Sequence, residues 1–171
     1  MIHKFLSEGA LNLHKEHLHK LKLQYSVLQK SIPQIAGKNL LEICRLRFKD
    51  KDEVIGLKSD IQCHELFFTS FGTAYESCAS VRKKYRSESS FLYEIYESCK
   101  KLDCGFLIIY SDKGEPKLIS GAPEIISKIK NPIIAIDLYE HSYFLDYGFE
   151  KEVYLKNMLP YLNLSKLDKN L

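Results

Sequence analysis

Two histidines fall on the apolar faces of predicted helices, where a polar ring needs a partner. His64 lies between Ile61 and Phe67 on the apolar side of one helical pattern. At 100° per residue, His14 falls at the centre of the apolar stripe of an earlier helix, and His17 lies about 60° from that centre. A single buried histidine usually bonds a backbone carbonyl. Two on different helices favour a shared partner, and a divalent metal held by three nitrogens and one carboxylate would satisfy both.

A carboxylate and a further histidine follow an apolar strand late in the chain. Asp137 comes directly after the apolar residues 133–136. A carboxylate in this place is costly to bury unless it is paired or bound to a cation. His141 lies four residues later, so both side chains can reach one point if the chain turns into a helix there. The alternative is that Asp137 caps a helix and that His141 lies nearby on the surface.

Helical patterns dominate the first hundred residues. Ser7 and Glu8 are typical of a helix start, and the apolar residues after them keep helical spacing as far as Pro33. Further patterns predict helices at residues 40–44, 60–71 and 75–101, with a loop at residues 49–53. We take residues 1–72 as one domain, which consists of an N-terminal helical hairpin and the helix that carries His64.

The periodicity changes at residue 105. Strands are predicted at residues 105–110, 117–120 and 133–137, with a turn at residues 111–114 and helices from Tyr139 and over residues 151–162. Helices followed by strands indicate an α+β fold and not alternating βαβ units. We therefore predict a C-terminal domain over residues 73–171, in which helices flank a three-stranded antiparallel meander.

Composition excludes several classes of protein. The net charge of +3 over 171 residues gives no reason to expect a nucleic-acid binder. No apolar run approaches the roughly 20 residues that a membrane span needs. The five cysteines are odd in number and form no CxxC pair, which argues against a disulfide framework and a zinc ribbon. The N-terminus has no signal-peptide pattern, so we expect a cytoplasmic protein, and a mitochondrial location stays open.

Residues 131–147, NPIIAIDLYEHSYFLDY, resemble the signature of the iron/manganese superoxide dismutases. In that family a strand leads into Asp-x-Trp-Glu-His-Ala-Tyr-Tyr-x-Asp-Tyr. Residues 63–68 are similar to the family's Asn-His-x-x-Phe-Trp segment, and residues 6–14 are similar to its opening helix. Residues from 105 and residues 154–163 resemble its Gly-Ser-Gly-Trp strand and its closing helix. The resemblance spans most of the chain and is strongest after residue 100.

The resemblance implies metal ligands at His64, Asp137 and His141. For the first ligand, the helix start and the apolar stripe favour His14. A family tyrosine that follows the ligand by two turns favours His17 instead, since counting from His17 reaches Tyr25. We predict His14, because the helix start and the apolar stripe agree, and keep His17 as the alternative. The implied cofactor is one iron or manganese ion per subunit, and the implied activity is the antioxidant dismutation of superoxide.

The resemblance also implies a set of residues around the ligands. These are Glu140, Tyr25, Tyr143 and Phe106. Glu140 directly precedes His141, so on a helix the two side chains point about 100° apart and cannot easily pair within one chain. We therefore expect a homodimer in which Glu140 of one subunit reaches His141 of the other, with Tyr143 in the same contact.

Several departures from the family pattern leave a second reading open. The family's active-site glutamine matches Asp60 or Leu102 here, and its tryptophans match Phe68, Phe106 and Tyr139. That glutamine helps to set the redox potential of the metal. The alternative is a catalytically inactive structural subunit on the dismutase fold, for example of a mitochondrial ribosome, where nucleic acid would be a neighbour only through the assembly. A metal-binding protein without turnover lies between the two.

Overall fold

The computed structural model describes residues 2–74 and 77–169. N-terminal helices precede a three-stranded antiparallel sheet with its own helices, which confirms the α+β prediction. The helices are α1 (Glu8–Ser31), α2 (Leu40–Arg45), α3 (Lys51–Thr69), α4 (Ala79–Tyr85), α5 (Glu88–Lys101), α6 (Phe144–Tyr147), α7 (Lys151–Met158) and α8 (Ser165–Lys169), and the strands are β1 (Phe106–Asp112), β2 (Glu115–Gly121) and β3 (Pro132–Asp137). Short 3-10 turns occupy Ile2–Lys4, Pro33–Ile35, Pro123–Lys128, Glu140–Ser142 and Leu159–Tyr161.

Helix α1 begins and ends where the sequence predicts. The Ser7 side chain accepts a hydrogen bond from the Ala10 backbone N–H at 3.1 Å, which satisfies one of the free donors of the first turn. Pro33 follows directly after the C-cap residue Ile32. His14 lies in the second turn of this 24-residue helix and is fully buried.

Helix α3 is longer than the sequence patterns indicate. The predicted loop at residues 49–53 is wrong in part, because α3 already begins at Lys51. Its first turn contains Asp52 and Glu53, which are polar but interact favourably with the positive end of the helix dipole. The helix ends at Thr69, two residues before the predicted end. The added turns allow α3 to pack along α1.

The single helix predicted over residues 75–101 is divided in two. Residues 75 and 76 lie outside the described part of the chain. Arg86 has a φ angle of 68°, which breaks the helical path after α4. Ser87 then starts α5, since its side chain accepts a hydrogen bond from the Ser90 backbone N–H at 3.1 Å.

The sheet has the strand order β2-β1-β3, and both pairings are antiparallel. The prediction of three antiparallel strands is confirmed, but the meander is wrong, because a meander would place β2 in the centre. Pro116 in β2 has no backbone N–H to donate, so β2 suits an edge position. The buried, apolar β3 instead pairs with β1, and this register sets Asp137 opposite Phe106 at the end of the sheet.

The segment after β3 is less helical than predicted. In place of a helix from Tyr139, the chain forms the 3-10 turn Glu140–Ser142 and the one-turn helix α6. The last predicted helix, over residues 151–162, ends as α7 at Met158. Pro160 follows within a 3-10 turn, where its missing N–H is tolerated.

One large apolar core joins the two halves of the chain. Phe5, Leu6 and Phe67 from the N-terminal part pack with buried residues of the sheet and of α7. A smaller cluster, which includes Leu21 and Tyr25, fills the space between α1, α2 and α3. No helix in the described part of the chain is both long and apolar enough to cross a bilayer.

Candidate metal centre

Four side chains from four separate elements converge at the C-terminal end of β3. They are His14 from α1, His64 from α3, Asp137 from the end of β3 and His141 from the 3-10 turn that follows. Asp137 Oδ2 lies 3.0 Å from His14 Nε2, 3.4 Å from His64 Nε2 and 3.1 Å from His141 Nε2. The Nε2 atoms of His64 and His141 are 3.2 Å apart. We refer to these four residues as the His3Asp cluster.

The backbone after β3 fixes the Asp137 carboxylate. The Tyr139 backbone N–H donates to Asp137 Oδ1 at 2.9 Å, which leaves Oδ2 directed at the three imidazole rings. The Asp137 carbonyl oxygen accepts from Ser142 Oγ at 3.1 Å and from Tyr154 Oη at 3.3 Å. Hydrogen bonds to both the side-chain carboxylate and the backbone carbonyl of Asp137 therefore stabilise the sharp turn that brings His141 back to Asp137.

The ring of His64 is oriented from its far side by its own helix. Its Nδ1 lies 2.9 Å from the Asp60 carbonyl oxygen, one helical turn earlier. A carbonyl can only accept, so Nδ1 carries the proton of the neutral ring and Nε2 then presents a lone pair to the cluster. This is the tautomer that a histidine needs in order to bind a metal through Nε2.

His14 is buried without a hydrogen-bond partner. Neither of its ring nitrogens forms an aligned hydrogen bond with any described residue, although Nε2 lies 3.0 Å from Asp137 Oδ2. Phe67 and Phe68 pack on its ring, with centroid distances of 4.6 and 5.1 Å. A fully buried imidazole that satisfies neither nitrogen is costly unless something else binds it.

The electrostatics of the cluster favour a cation. Burial disfavours the charged form of Asp137, but the close approach of the His14 and His141 imidazoles outweighs it, so the pKa of Asp137 is lowered. Burial also lowers the pKa of His14, which keeps that ring neutral at pH 7. Burial opposes the charged form of His64 as well, but the hydrogen bond to Asp60 and the charge of Asp137 outweigh it, so the pKa of His64 is raised. The ionised carboxylate and the neutral His14 ring are forms that metal binding requires, and a metal ion would displace a proton held by His64.

The donor atoms fit a single metal ion in type and spacing. Ligand atoms about 2.1 Å from a common ion lie about 3 to 3.6 Å from their neighbours, and the measured separations of 3.0 to 3.4 Å fall in this range. Two imidazole nitrogens 3.2 Å apart also need either a shared proton or a cation between them. Three nitrogens and one carboxylate suit iron, manganese and zinc on chemistry alone.

His14, the predicted first ligand, and His17, the alternative, occupy different places. The His3Asp cluster contains His14. The ring of His17 lies beside the cluster, with centroids 4.5 Å from His141 and 4.9 Å from His64. His17 instead shares a second group of ligand-type side chains with Asp60 and His64.

The other predicted site residues divide between the cluster and the rest of the fold. Phe106 contacts the His64 ring edge-on at a centroid distance of 5.2 Å, and Glu140 lies beside His141 in an exposed depression. Tyr143 is only 6% exposed and stacks on Tyr154. Tyr25 packs in the smaller cluster between the N-terminal helices, and no described contact joins it to the four ligand-type side chains.

Four contacts of the site are not predicted from the sequence. Asp60 was considered only as the match to a family glutamine, although its place four residues before His64 puts both on one helix face. Ser142 and Tyr154, which donate to the Asp137 carbonyl, carry no signal in spacing, because the turn after β3 decides their approach. The stacking of Tyr139 on His141, at 5.8 Å and 11°, follows from the same turn.

Comparison with known proteins identifies the family of the chain. Residues 73–170 match the family model of the iron/manganese superoxide dismutases, C-terminal domain. This segment covers more than half of the chain and contains Asp137 and His141. A search of curated proteins returned no match. The match, together with a fold of N-terminal helices before a three-stranded antiparallel sheet, shows that the chain belongs to the iron/manganese superoxide dismutase family.

Proposed function

We propose that the protein is a superoxide dismutase that holds one iron or manganese ion per subunit through His14, His64, Asp137 and His141. The observation that carries the proposal is the His3Asp cluster itself, in which three Nε2 atoms surround one carboxylate oxygen and the His14 nitrogens have no other described partner. Family membership selects iron or manganese from the metals that this donor set would accept.

Held by these four side chains, an iron or manganese ion would supply one-electron chemistry: one superoxide would give up an electron and leave as oxygen, and a second would take up that electron and two protons and become hydrogen peroxide. The chain's own residues would prepare the site for this chemistry. Asp137 supplies the negative charge and the backbone N–H of Tyr139 holds it in place. Phe67 and Phe68 exclude water behind His14, and His141, whose side chain is 27% exposed, marks the side open to solvent.

We further propose a homodimer that forms beside the cluster. Glu140 and His141 lie in a surface depression with Leu13, Phe144 and Leu145. All three apolar side chains are more than 40% exposed, and a patch of this kind next to a charged residue is typical of an interface. Tyr143 is buried within its own subunit, so the contact would depend on Glu140 and the apolar side chains.

A structural subunit without catalysis is the second candidate. It is favoured by the two positions that match the family's glutamine. Asp60 directs its carboxylate at His64, and Leu102 is apolar and packs against the large core. Neither side chain offers an amide to a metal-bound solvent.

We place the protein in the cytoplasm or in mitochondria, because its five cysteines are unpaired, as in a reducing compartment.

The test compares superoxide consumption by the wild type with that of His141→Ala, after each has been loaded with iron or with manganese. We expect the wild type to be active with at least one of the metals, and His141→Ala to lose both metal and activity. His19→Ala is the matched control, because His19 is an exposed histidine of α1 away from the cluster. A metal-loaded wild type without activity would favour the structural role.

A further inference from the structure

Asp60 presents two oxygen atoms to the far side of the His64 ring. Its carbonyl oxygen lies 2.9 Å from His64 Nδ1, and its carboxylate Oδ1 lies 3.2 Å from the same nitrogen. The carbonyl alone satisfies the single N–H of the ring. The carboxylate is therefore additional to what hydrogen bonding requires, and its main effect on the ring is that of a nearby negative charge.

We propose that the Asp60 carboxylate is a positioning residue that acts through His64 to lower the reduction potential of the bound iron or manganese ion. The inference rests on the proposed function. A carboxylate at the N–H of a ligating imidazole fixes the ring and makes its other nitrogen a more basic ligand. A more basic ligand and an added negative charge both stabilise the oxidised ion more than the reduced ion, because the oxidised ion carries one more positive charge.

The surroundings of Asp60 allow this charge to act. The His3Asp cluster has one carboxylate of its own, so Asp60 would double the number of negative charges near the ion. Its side chain is 25% exposed and that of His64 is 1% exposed, so water screens the pair only in part. Because the two residues are one turn apart on α3, the helix holds the carboxylate at a constant distance from the ring.

Glu65 provides a matched comparison on the same helix. It is the neighbour of His64 in sequence, but its side chain is 51% exposed and is paired with Lys22 at 2.7 Å. Its charge is thus screened by solvent and offset by an ammonium group. Substitution of Glu65 by glutamine removes the same formal charge as substitution of Asp60 by asparagine, without a change at the His64 ring.

The experiment measures the one-electron reduction potential of the metal-loaded wild type, Asp60→Asn and Glu65→Gln by redox titration. Asparagine keeps the shape of the side chain and the carbonyl bond to Nδ1. We expect Asp60→Asn to raise the potential by at least about 59 mV, which is a tenfold change in the equilibrium between the oxidised and the reduced ion. Glu65→Gln should shift it by less than a third of that amount. Asp60→Ser serves as a second variant if the asparagine variant folds poorly.

The outcomes separate this inference from the proposed function. A wild type that binds neither iron nor manganese would overturn both. A metal-loaded and active wild type whose potential does not rise in Asp60→Asn would overturn the inference alone. Equal shifts in Asp60→Asn and Glu65→Gln would also overturn it, because the effect would then be one of overall charge and would not pass through His64.

Discussion

His14→Leu should separate the metal-binding role of the cluster from its contribution to the metal-free fold. In the metal-free protein the two buried nitrogens of His14 have no aligned partner among the described residues, so removal of the ring relieves a desolvation penalty of about 1 to 3 kcal/mol. The same change removes a neighbour 3.0 Å from the buried Asp137 carboxylate, which works in the opposite direction. We therefore expect the metal-free free energy of unfolding to change by less than about 1 kcal/mol, since the two effects offset each other.

The metal-loaded protein should respond differently. At a free metal concentration of about a thousand times the dissociation constant, binding stabilises the wild type by about 4 kcal/mol. For a chain of this length that corresponds to a rise of about 10 °C in Tm. His14→Leu lacks one of the four ligands and should gain little of this increment.

Urea unfolding with chelator and with saturating iron or manganese measures both quantities. His19→Leu on the same helix is the control, and it should gain the full increment. A loss of 3 kcal/mol or more in metal-free His14→Leu, which is the range for breaking a buried pair, would contradict this expectation. A variant that keeps the whole metal-dependent gain would contradict it equally.

Three more substitutions test the His3Asp cluster, the sheet and the proposed dimer. Asp137→Asn should destabilise the metal-free protein by about 3 to 5 kcal/mol, as measured by urea unfolding at pH 7, because it leaves the histidines without their anion. The pKa of Asp137 is lowered in the folded state, so its carboxylate contributes fully to the free energy of unfolding above the unfolded-state pKa near 3.9. This contribution is lost progressively as the pH falls below that value. The difference in stability between wild type and variant should therefore shrink below about pH 4. Gly105→Ala should cost about 2 kcal/mol or more of folding stability and so lower Tm, since the φ of Gly105 is +124° and the new Cβ would lie 2.5 Å from the Gly121 carbonyl oxygen. In the control Gly114→Ala, the new Cβ would meet no described atom within 4 Å, so this variant should lose less stability. Glu140→Ala should convert a dimer into a monomer in sedimentation at micromolar concentration, and a wild type that is already monomeric would contradict the proposed contact.

The chemistry-bearing residues could be predicted because each one breaks a local pattern. His64 interrupts an apolar helix face, and Asp137 interrupts the end of an apolar strand. Such exceptions are costly unless they meet, so the sequence predicts their convergence without knowledge of the path between them. Their role as metal ligands stays a prediction.

The choice of the first ligand could not be made from spacing alone. His14 and His17 differ by 300° around α1, which leaves them only 60° apart on the helix surface. Both rings come near His64 and His141. Only the rotation and depth of α1 against α3 bring His14 to Asp137, and these depend on packing that no local pattern encodes.

The order of the strands is also a non-local property. Turn residues show where β1 ends and β2 begins, but β3 pairs with β1 through residues 22 to 31 positions apart in sequence. Pro116 was a usable sign that β2 lies at the edge. The boundary at Lys51 and the division at Arg86 were missed for another reason, because polar first turns and a positive φ at a non-glycine residue have weak sequence signals.

The most direct test of the central claim is the metal content of the purified wild type beside that of His64→Ala. His64 is fully buried, and its Nε2 faces the other donor atoms. Elemental analysis after growth with both iron and manganese should find about one ion of iron plus manganese per wild-type chain and little in the variant. A folded wild type that contains neither metal, or a variant that retains as much as the wild type, would contradict the account.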